Sequence, residues 1–318
     1  MTKMQFKKFT SIENSYREKF VREIVEQGYA SSGWVVSEKI HGANLSFWVT
    51  NDGVRIAARN QFVDETFYDC GEVVRRYEQG LLEMKRKEFG DLEFVVVYGE
   101  LYGPGIQKGI FYGKRKDFAA FELAVLGDPD LTYTVTAAKR VLNEYGIPFV
   151  PILHVCDSLE EALRYPNDQQ SVVALTLNGC DPSEVPDDNV YEGVVIVTES
   201  ARFLTNGNRV ILKNKNEKWL EKSKQPKPER VKTEINTHGA EDYVNVNRLE
   251  SVVSKMGEVT VSRFGEVLKA MSEDVLEDMI KDGVIPENWR KADEYRSFGK
   301  ALSSTVASFL KTELFRMV

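Results

Sequence analysis

The residues best suited to chemistry lie around Lys39, which follows the apolar run at residues 34–36 and precedes a turn that contains Gly42. A lysine amine is a poor nucleophile while it is protonated, so it needs neighbouring cations or a desolvated pocket before it can attack phosphorus. This position predicts a covalent catalyst if suitable partners lie nearby. A lone lysine would be an ordinary surface charge.

Three further strand-like segments also carry charge at one end. Glu100 ends one apolar run, Glu192 precedes another, and Lys213 with Lys215 closes a third. Isolated glutamates at strand ends are usually solvated, and isolated lysines there are usually exposed. Only the joint occurrence of all five residues favours a chemical site.

Length and composition predict a folded protein of two domains. The chain has 318 residues, of which 42% are hydrophobic and 29% are charged, with a net charge of -7. Chains beyond about 250 residues tend to divide into domains, and this balance excludes wholesale disorder. The negative charge argues against indiscriminate nucleic-acid binding.

One basic segment interrupts this acidic chain. A charge run of this kind is usually a solvated linker. Because the run begins at the strand end that carries Lys213, we interpret it as a surface for polyanion contact. Its members are Lys213, Lys215, Lys218, Lys222, Lys224, Lys227, Arg230 and Lys232.

The remaining composition predicts neither a structural metal nor a membrane anchor. The three cysteines, Cys70, Cys156 and Cys180, lack the paired spacings of zinc or redox motifs, and the three histidines form no cluster in the sequence. The amino terminus lacks the apolar stretch of a signal peptide, and no run approaches membrane-spanning length. We expect a cytoplasmic protein.

Hydrophobic periodicity predicts a mixed α+β domain. Asn51-Asp52-Gly53 between two apolar runs is a hairpin signal. Alternation of the two element types favours antiparallel sheet with helices. Helices are predicted at 16–25, 73–87, 137–144 and 159–164, and strands at 45–50, 54–59, 94–100, 118–126, 191–197 and 209–213.

The last quarter of the chain predicts a small all-helical domain. Pro226 and Pro228 interrupt the periodicity, so we predict domains at 1–224 and 241–318 with a basic linker at 225–240. No long apolar stripe is left over once the helices pack together, which favours a monomer. The helical stripes are Leu249, Val252, Val253 and Met256, then Val275, Leu276, Met279 and Ile280, then Phe298, Leu302, Val306, Phe309 and Leu310.

The charged positions together resemble the covalent nucleotidyltransferases, which include ligases and capping enzymes. Lys-Ile-His-Gly in place of Lys-x-Asp-Gly, with the turns at 103–108 and 206–209, narrows this resemblance to the bacteriophage RNA ligase 2 family over nearly the whole chain. That family includes the editing ligases of kinetoplastids. The motifs are Lys39-Ile40-His41-Gly42, Arg59, Tyr98-Gly99-Glu100, Phe118 to Phe121, Glu192-Gly193 and Lys213-Asn214-Lys215.

The resemblance implies both an architecture and a reaction. The architecture is an antiparallel-sheet, ATP-grasp-like adenylyltransferase domain followed by a small helical domain. The reaction is ATP-dependent ligation of RNA through a covalent lysyl-AMP, with Mg²⁺ or Mn²⁺ as cofactor. The implied substrate is RNA with 3′-hydroxyl and 5′-phosphate ends, preferably a nick in duplex RNA.

The resemblance also assigns roles to individual residues, each with an ordinary structural alternative. Phe121 could simply fill the core, Arg59 could be a hairpin surface residue, and Arg248 with Asp274 could be a helix ion pair. The implied catalytic residues are Lys39, Lys213 and Lys215. The implied nucleotide-binding residues are Glu38, Ile40, His41, Asn44, Arg59, Glu100, Phe121 and Glu192, with Glu100 and Glu192 also binding the metal, and Gln107, Lys108, Arg248 and Asp274 serving RNA binding and nick sealing.

Two alternative functions remain open from the sequence. A DNA ligase or an RNA-capping guanylyltransferase would share the site, although His41 and the helical tail argue against both. A catalytically idle RNA-end-binding protein would keep the fold, but it would be expected to lack some of the five charged residues. The chain departs from the family at Ala58, where lysine is common, and at Val197-Thr198, which replaces Lys-Pro.

Overall fold

The computed structural model describes residues 4–126, 131–177, 179–220, 237–257, 259–292, 295 and 297–317. The chain forms two compact units, Met1–Lys218 and Trp219–Val318. Most of the predicted linker lies outside the described residues, as do Lys222, Lys224, Lys227, Arg230 and Lys232 of the basic segment. The predicted boundary at 224 therefore stays a prediction.

The first unit contains strands and helices in mixed order, as predicted for an α+β domain. Its strands are β1 Glu13–Asn14, β2 Trp34–Glu38, β3 Ala43–Thr50, β4 Val54–Ala58, β5 Phe62–Val63, β6 Phe94–Tyr102, β7 Asp117–Val125, β8 Leu131–Thr132, β9 Ile152–Cys156, β10 Gly193–Thr198 and β11 Ile211–Lys215. Its α-helices are α1 Glu18–Glu26, α2 Gly71–Glu88, α3 Val135–Glu144, α4 Leu159–Leu163 and α5 Val172–Thr176.

The strands form two sheets, and the pairing is antiparallel except between β1 and β11. The first sheet has the order β1-β11-β10-β2-β9, and the second has the order β5-β4-β3-β6-β7-β8. The chain passes from the first sheet to the second in the short segment between β2 and β3. Lys39 lies in that segment.

The strand β2 is buried on both faces because each face packs against a different layer. Successive side chains of a strand point to opposite faces. Val35 belongs to the core between the two sheets, which also contains Trp48 of β3. Trp34 and Val36 face the opposite way and pack with Ile24 of α1. Full burial of side chains of this size stabilises the fold by about 1.5–3 kcal/mol each.

The structure contains short elements that the sequence analysis missed, notably β9 at the edge of the first sheet. Only Cys156 of its residues is fully buried, and Val155 is 57% exposed. The burial of its residues does not alternate clearly between core and solvent, and such alternation is the signal by which a strand is recognised in a sequence. Pro148 and Pro151 just before it also obscured the strand pattern.

The second unit is all-helical in its described part, as predicted. It contains α6 Val246–Ser254, α7 Phe264–Lys281 and α8 Phe298–Met317. The predicted apolar stripes form its core, in which Leu249, Met271 and Phe298 are fully buried. Among the described residues, no helix is both long enough and apolar enough to cross a membrane.

Candidate active site

Strand register brings three of the predicted site residues to one end of the first sheet. Lys39 follows β2 directly, and its backbone N–H donates to the Gly193 carbonyl at 2.9 Å. Gly193 in turn lies opposite Lys215 of the neighbouring strand. Because Glu192 precedes Gly193, antiparallel pairing of β2, β10 and β11 places Lys39, Glu192 and Lys215 side by side.

The carboxylate of Glu192 bridges two lysine ammonium groups. Its Oε2 lies 2.7 Å from Lys39 Nζ, and its Oε1 lies 2.8 Å from Lys215 Nζ. His41 Nδ1 approaches the same Oε2 at 3.4 Å. Burial by itself would raise the pKa of Glu192, but the charges of Lys215 and Lys39 outweigh it and hold the pKa well below its usual range.

Glu100 reaches the same site from the second sheet. It lies on β6 opposite Asn44 of β3. Loss of hydration raises the pKa of Glu100 from 4.5 to about 8, opposed by the charge of Lys39 and reinforced by that of Glu192. Two carboxylates close enough to repel each other form a site where a cation would be stabilised.

The crossing between the sheets requires glycine at position 42. A Cβ atom there would lie 2.2 Å from the Leu101 carbonyl oxygen and 2.9 Å from Glu100 Cγ. Real Cβ atoms do not approach backbone that closely, so only glycine allows the Lys39 segment to lie against β6. The glycine of the sequence motif therefore fixes the separation between Lys39 and Glu100.

Neighbouring side chains hold the Lys39 segment and its surroundings in place. The His41 N–H donates to the Tyr112 hydroxyl at 2.9 Å, and Asn44 Nδ2 donates to the Gly99 carbonyl at 3.4 Å. Arg59 donates to the Thr10 carbonyl at 3.3 Å. The Arg59 charge also opposes the rise in the pKa of Glu100, so its guanidinium lies near that carboxylate.

A cavity between the two sheets opens beside Lys39. The open space inside it, which includes solvent at its opening, is about 780 Å³. Its lining combines charged and apolar residues. Its lining includes Glu38, Lys39, Ile40, Glu100, Phe121, Val195, Val197 and Ile211.

Phe121 lies in the wall of the cavity and also packs against the core between the sheets, so its predicted contact with a nucleobase stays a prediction. It is half-buried on β7, lines the cavity, and makes an edge contact with the ring of Phe9 at 4.8 Å. A half-buried phenylalanine in the cavity wall is compatible both with core packing and with contact to a flat apolar ligand group.

Glu38 lines the cavity, but its carboxylate is already engaged. Oε1 accepts from the Ser171 hydroxyl at 2.6 Å, and Oε2 accepts from the N–H groups of Val172 and Val173 at 2.8 and 2.9 Å. Burial raises the pKa of Glu38 to about 7, and these three hydrogen bonds partly oppose the rise. The structure thus shows a side chain that holds α5, and its predicted contact with nucleotide stays a prediction.

The sequence analysis did not single out a buried ion pair in the cavity wall. Arg209 Nη1 pairs with Glu122, and the two side chains are 5% and 9% exposed. The Arg209 guanidinium also lies 5.7 Å from the centre of the Phe9 ring. The available signal was a glutamate inside the otherwise apolar strand β7, because a buried carboxylate needs a cationic partner.

Three other predicted site residues of the first unit lie on β11 and in the loop between β6 and β7. Lys213 is two residues before Lys215 on β11, so both side chains leave the same face of the strand. Gln107 and Lys108 lie in the loop between β6 and β7, where Lys108 is exposed. Neither loop residue lines the cavity.

In the second unit, Arg248 and Asp274 form a buried structural pair. The Arg248 side chain is 1% exposed and pairs with Asp274 and, at 2.7 Å, with Asp278. Its Nε donates to the Tyr243 carbonyl at 2.8 Å, and Lys255 also contacts Asp274 at 3.2 Å. The geometry favours the ion-pair alternative for Arg248, while its predicted part in sealing stays a prediction.

These features define a class of protein. A lysine that lines a cavity between antiparallel sheets, beside a bridging carboxylate and a second lysine, is typical of a nucleotidyltransferase domain. The family model described as RNA ligase matches residues 32–215, and the model described as T4 RNA ligase 2 C-terminal matches residues 237–311. The chain belongs to the RNA ligase family.

Solved structures of Naegleria gruberi RNA ligase are similar to this chain. The structure with PPi is 18% identical over 68% of this chain and 57% of that chain, with a TM-score of 0.49. A point mutant with ATP and Mn is 18% identical over 66% and 56%, with a TM-score of 0.48. Another with AMP and Mn is 19% identical over 67% and 57%, with a TM-score of 0.49. The chain thus spans just over half the length of these relatives.

Proposed function

We propose that this protein is an ATP-dependent RNA ligase. It would join 3′-hydroxyl and 5′-phosphate RNA ends, preferably at nicks in duplex RNA, through a lysyl-AMP and an adenylated 5′-phosphate. Membership of the RNA ligase family supports this reaction class. The matched carboxy-terminal model supports the branch of the family that the sequence motifs resemble.

The observation that carries the proposal is the placement of Lys39, which lines the cavity and whose Nζ lies 2.7 Å from Glu192 Oε2. With nucleotide in the cavity, the Lys39 amine would attack the α-phosphorus, forming a P–N bond as the bond to pyrophosphate breaks. Lys215 would offset negative charge that develops on the phosphate. A covalent intermediate of this kind divides one difficult transfer into easier ones.

In the structure, Lys39 is held as one half of an ion pair. A cation that took over the negative charge of Glu192 would release the Lys39 side chain from this pair. Binding of nucleotide together with a cation would therefore both fill the site and release the nucleophile.

Glu100 and Glu192 fit a divalent cation such as Mg²⁺ or Mn²⁺. The raised pKa of Glu100 reflects a carboxyl group that lacks hydration beside the charge of Glu192, and a hard cation with oxygen ligands would offset both effects. When bound, the ion would neutralise charge on the phosphates. The protein groups would orient the α-phosphorus towards Lys39, with Phe121 against the adenine.

The later steps would use RNA as the second substrate. Transfer of AMP to the 5′-phosphate and attack by the 3′-hydroxyl are again in-line phosphoryl transfers, in which positioning carries most of the catalysis. We infer discrimination from DNA through 2′-hydroxyls and A-form shape near the nick. We also infer a monomeric enzyme that works in the cytoplasm, with Gln107 and Lys108 near the RNA.

The experiment that tests this function is the intact mass of protein stripped of bound AMP with pyrophosphate and then incubated with ATP and Mg²⁺. The expected result is one adenylate adduct, absent from Lys39→Ala and present in the control Lys19→Ala, which changes an exposed lysine of α1 outside the site. GTP should give no adduct. An adduct from GTP alone would indicate a capping enzyme, and no adduct from either nucleotide would favour the idle RNA-binding alternative.

Substrate choice is tested separately with the adenylated protein. Labelled RNA should be sealed fastest at a nick in duplex RNA, more slowly as free single-stranded ends, and least at a nick in duplex DNA. Equal rates on RNA and DNA nicks would contradict the proposed readout of 2′-hydroxyls.

A further inference from the structure

We propose that His154, Cys156 and Glu161 form a binding site for a thiophilic divalent cation, with Zn²⁺ as the ion that fits best. The ligand atoms of the three side chains all lie within 4.8 Å of one another. None of the three lines the cavity beside Lys39. The site is therefore separate from the one that would hold Mg²⁺ and nucleotide.

The fold brings these residues together from two adjacent elements. His154 and Cys156 are two apart on the edge strand β9, so their side chains leave the same face. Glu161 lies on α4, whose first turn is capped by the Ser158 hydroxyl. The chain turns back within two residues of β9, which lays α4 over that face.

The ligand side chains are held in their positions before any ion arrives. His154 Nε2 lies 2.8 Å from Glu161 Oε1, and the His154 ring stacks on Tyr165 with a centroid separation of 5.6 Å. Cys156 is buried with its Sγ 3.5 Å from the Ser158 carbonyl oxygen. His154 and Glu161 are partly exposed, so an ion has access from solvent.

The donor set favours zinc over magnesium. Thiolate, imidazole and carboxylate are the ligands of zinc in proteins, whereas magnesium prefers oxygen and keeps most of its waters. Ligand atoms on a tetrahedral zinc stand about 3.3–3.5 Å apart. Shifts on the order of 1 Å would therefore give three protein ligands with water as the fourth. The Cys156 proton would pass to solvent as the Zn–S bond forms.

An ion here would pin α4 to the edge of the first sheet. On β9, His154 lies opposite Val36 and Cys156 lies opposite Trp34 of β2, the strand that ends at Lys39. A bound ion would thus restrain the outer neighbour of the strand that carries the nucleophile. The spacing His-x-Cys did not predict a zinc site, because zinc motifs are recognised in a sequence by paired cysteines and histidines.

The hydrogen bond between His154 and Glu161 could also exist for packing alone, and cobalt binding separates the two possibilities. Full-length protein is treated with chelator and titrated with Co²⁺, which gives a sulfur-to-cobalt charge-transfer band only if a thiolate binds the ion. The expected result is one Co²⁺ with this band, displaced by one Zn²⁺. Cobalt at Glu100 and Glu192 would give no such band, so this outcome does not depend on the ligase proposal.

Two variants assign the band and one serves as a control. Cys156→Ser should abolish it, and His154→Ala should weaken cobalt binding by at least about 10-fold, because metal-ligand losses cost that much or more. Cys180→Ser, which removes a partly exposed cysteine elsewhere, should keep the band. A band that survives Cys156→Ser, or the absence of any band in the parent protein, would overturn the site.

Discussion

The carboxylate of Glu192 forms ion pairs with two lysines at once. One nearly buried carboxylate faces the ammonium groups of Lys39 and Lys215. Removal of one member of a buried ion pair leaves an uncompensated charge, so loss of any one of these three charges destabilises the other two. The site is therefore sensitive to any single change of charge.

Replacement of Lys215 by glutamine tests its role in charge stabilisation. The amide can still reach Glu192, but it lacks the positive charge, so we expect adenylation to slow by about 10²–10³-fold. Single-turnover adduct formation followed by mass spectrometry measures this rate. Lys19→Gln, which changes an exposed lysine of α1, should keep the parent rate, and equal loss in both variants would indicate a general charge effect.

Glu100 should make the free protein less stable as pH rises. Its folded-state pKa of about 8 lies above the usual 4.5, so between these values the folded protein binds more protons than the unfolded chain. The destabilising contribution is absent below pH 4.5, grows through this window and is complete above about 8. The free energy of unfolding, measured with urea at several pH values in this window, should fall less steeply with pH in Glu100→Gln than in the parent protein.

The exposed Glu93→Gln is the control for that measurement. The stability of Glu100→Gln should still depend on pH to some extent, because burial also raises the pKa of Glu38, to about 7. An unchanged slope would mean that the Glu100 carboxylate is hydrated in the folded protein.

At the scale of secondary structure, the short crossing between β2 and β3 sets the geometry of the site. It joins the two sheets, delivers Lys39 from one of them and lies against Glu100 on the other. Gly42 is the residue at which backbone meets backbone. The apolar strands on either side are buried and hold both ends of the crossing fixed.

Gly42→Ala should therefore damage both stability and chemistry. A Cβ atom 2.2 Å from the Leu101 carbonyl forces the strands apart, and we expect a loss of at least about 2 kcal/mol in the free energy of unfolding. Gly53→Ala, where a Cβ would meet nothing within 4 Å, is the matched control. Denaturant unfolding should show lower stability, and mass spectrometry less adduct, for Gly42→Ala than for Gly53→Ala.

In the helical unit, Arg248 links α6 to α7 through Asp274 and Asp278. Removal of one member of a buried ion pair costs about 3–5 kcal/mol, so Arg248→Met should lower the stability of this unit by that order. Arg263→Gln, whose ion pair with Glu266 is partly exposed, should cost about 0–1 kcal/mol. Unfolding followed by circular dichroism makes the comparison, and a stable Arg248→Met that fails to seal RNA would instead support direct RNA contact.

At the scale of the whole molecule, the chain consists of two compact units, each with its own core. Every residue implicated in the lysine chemistry lies in the first unit. Adenylation needs only nucleotide, whereas sealing also needs an RNA end placed against the adenylated site. The two activities should therefore be separable.

A fragment that ends at residue 224 should form the adenylate adduct but fail to seal nicked duplex RNA. Intact mass and a labelled-nick assay measure the two activities on the same preparation, with the full-length chain as the reference. Adduct formation together with full sealing would remove the case for Arg248 and Asp274 in sealing. A fragment that forms no adduct, although circular dichroism shows it folded, would contradict separability.

Much of the fold was predictable because its signals are local. The hairpin at 51–53, the long helix α2 and the apolar stripes of the second unit all follow from periodicity within one element. The edge strand β9 was missed because the burial of its residues does not alternate clearly between core and solvent. The Glu122–Arg209 pair joins residues 87 positions apart, and no local pattern reports such a contact.

The sequence by itself determined the family, the proposed nucleophile and the set of charged strand ends, because the order of motifs along a chain can be read without knowing any distance. Only the tertiary structure decided how those residues are used. It placed both Lys39 and Lys215 on Glu192, committed the Glu38 carboxylate to α5, and buried Arg248 among acidic partners. These outcomes depend on which charged groups are buried next to each other, because a buried charge needs a partner. Burial follows from how the elements pack and cannot be read from the order of residues.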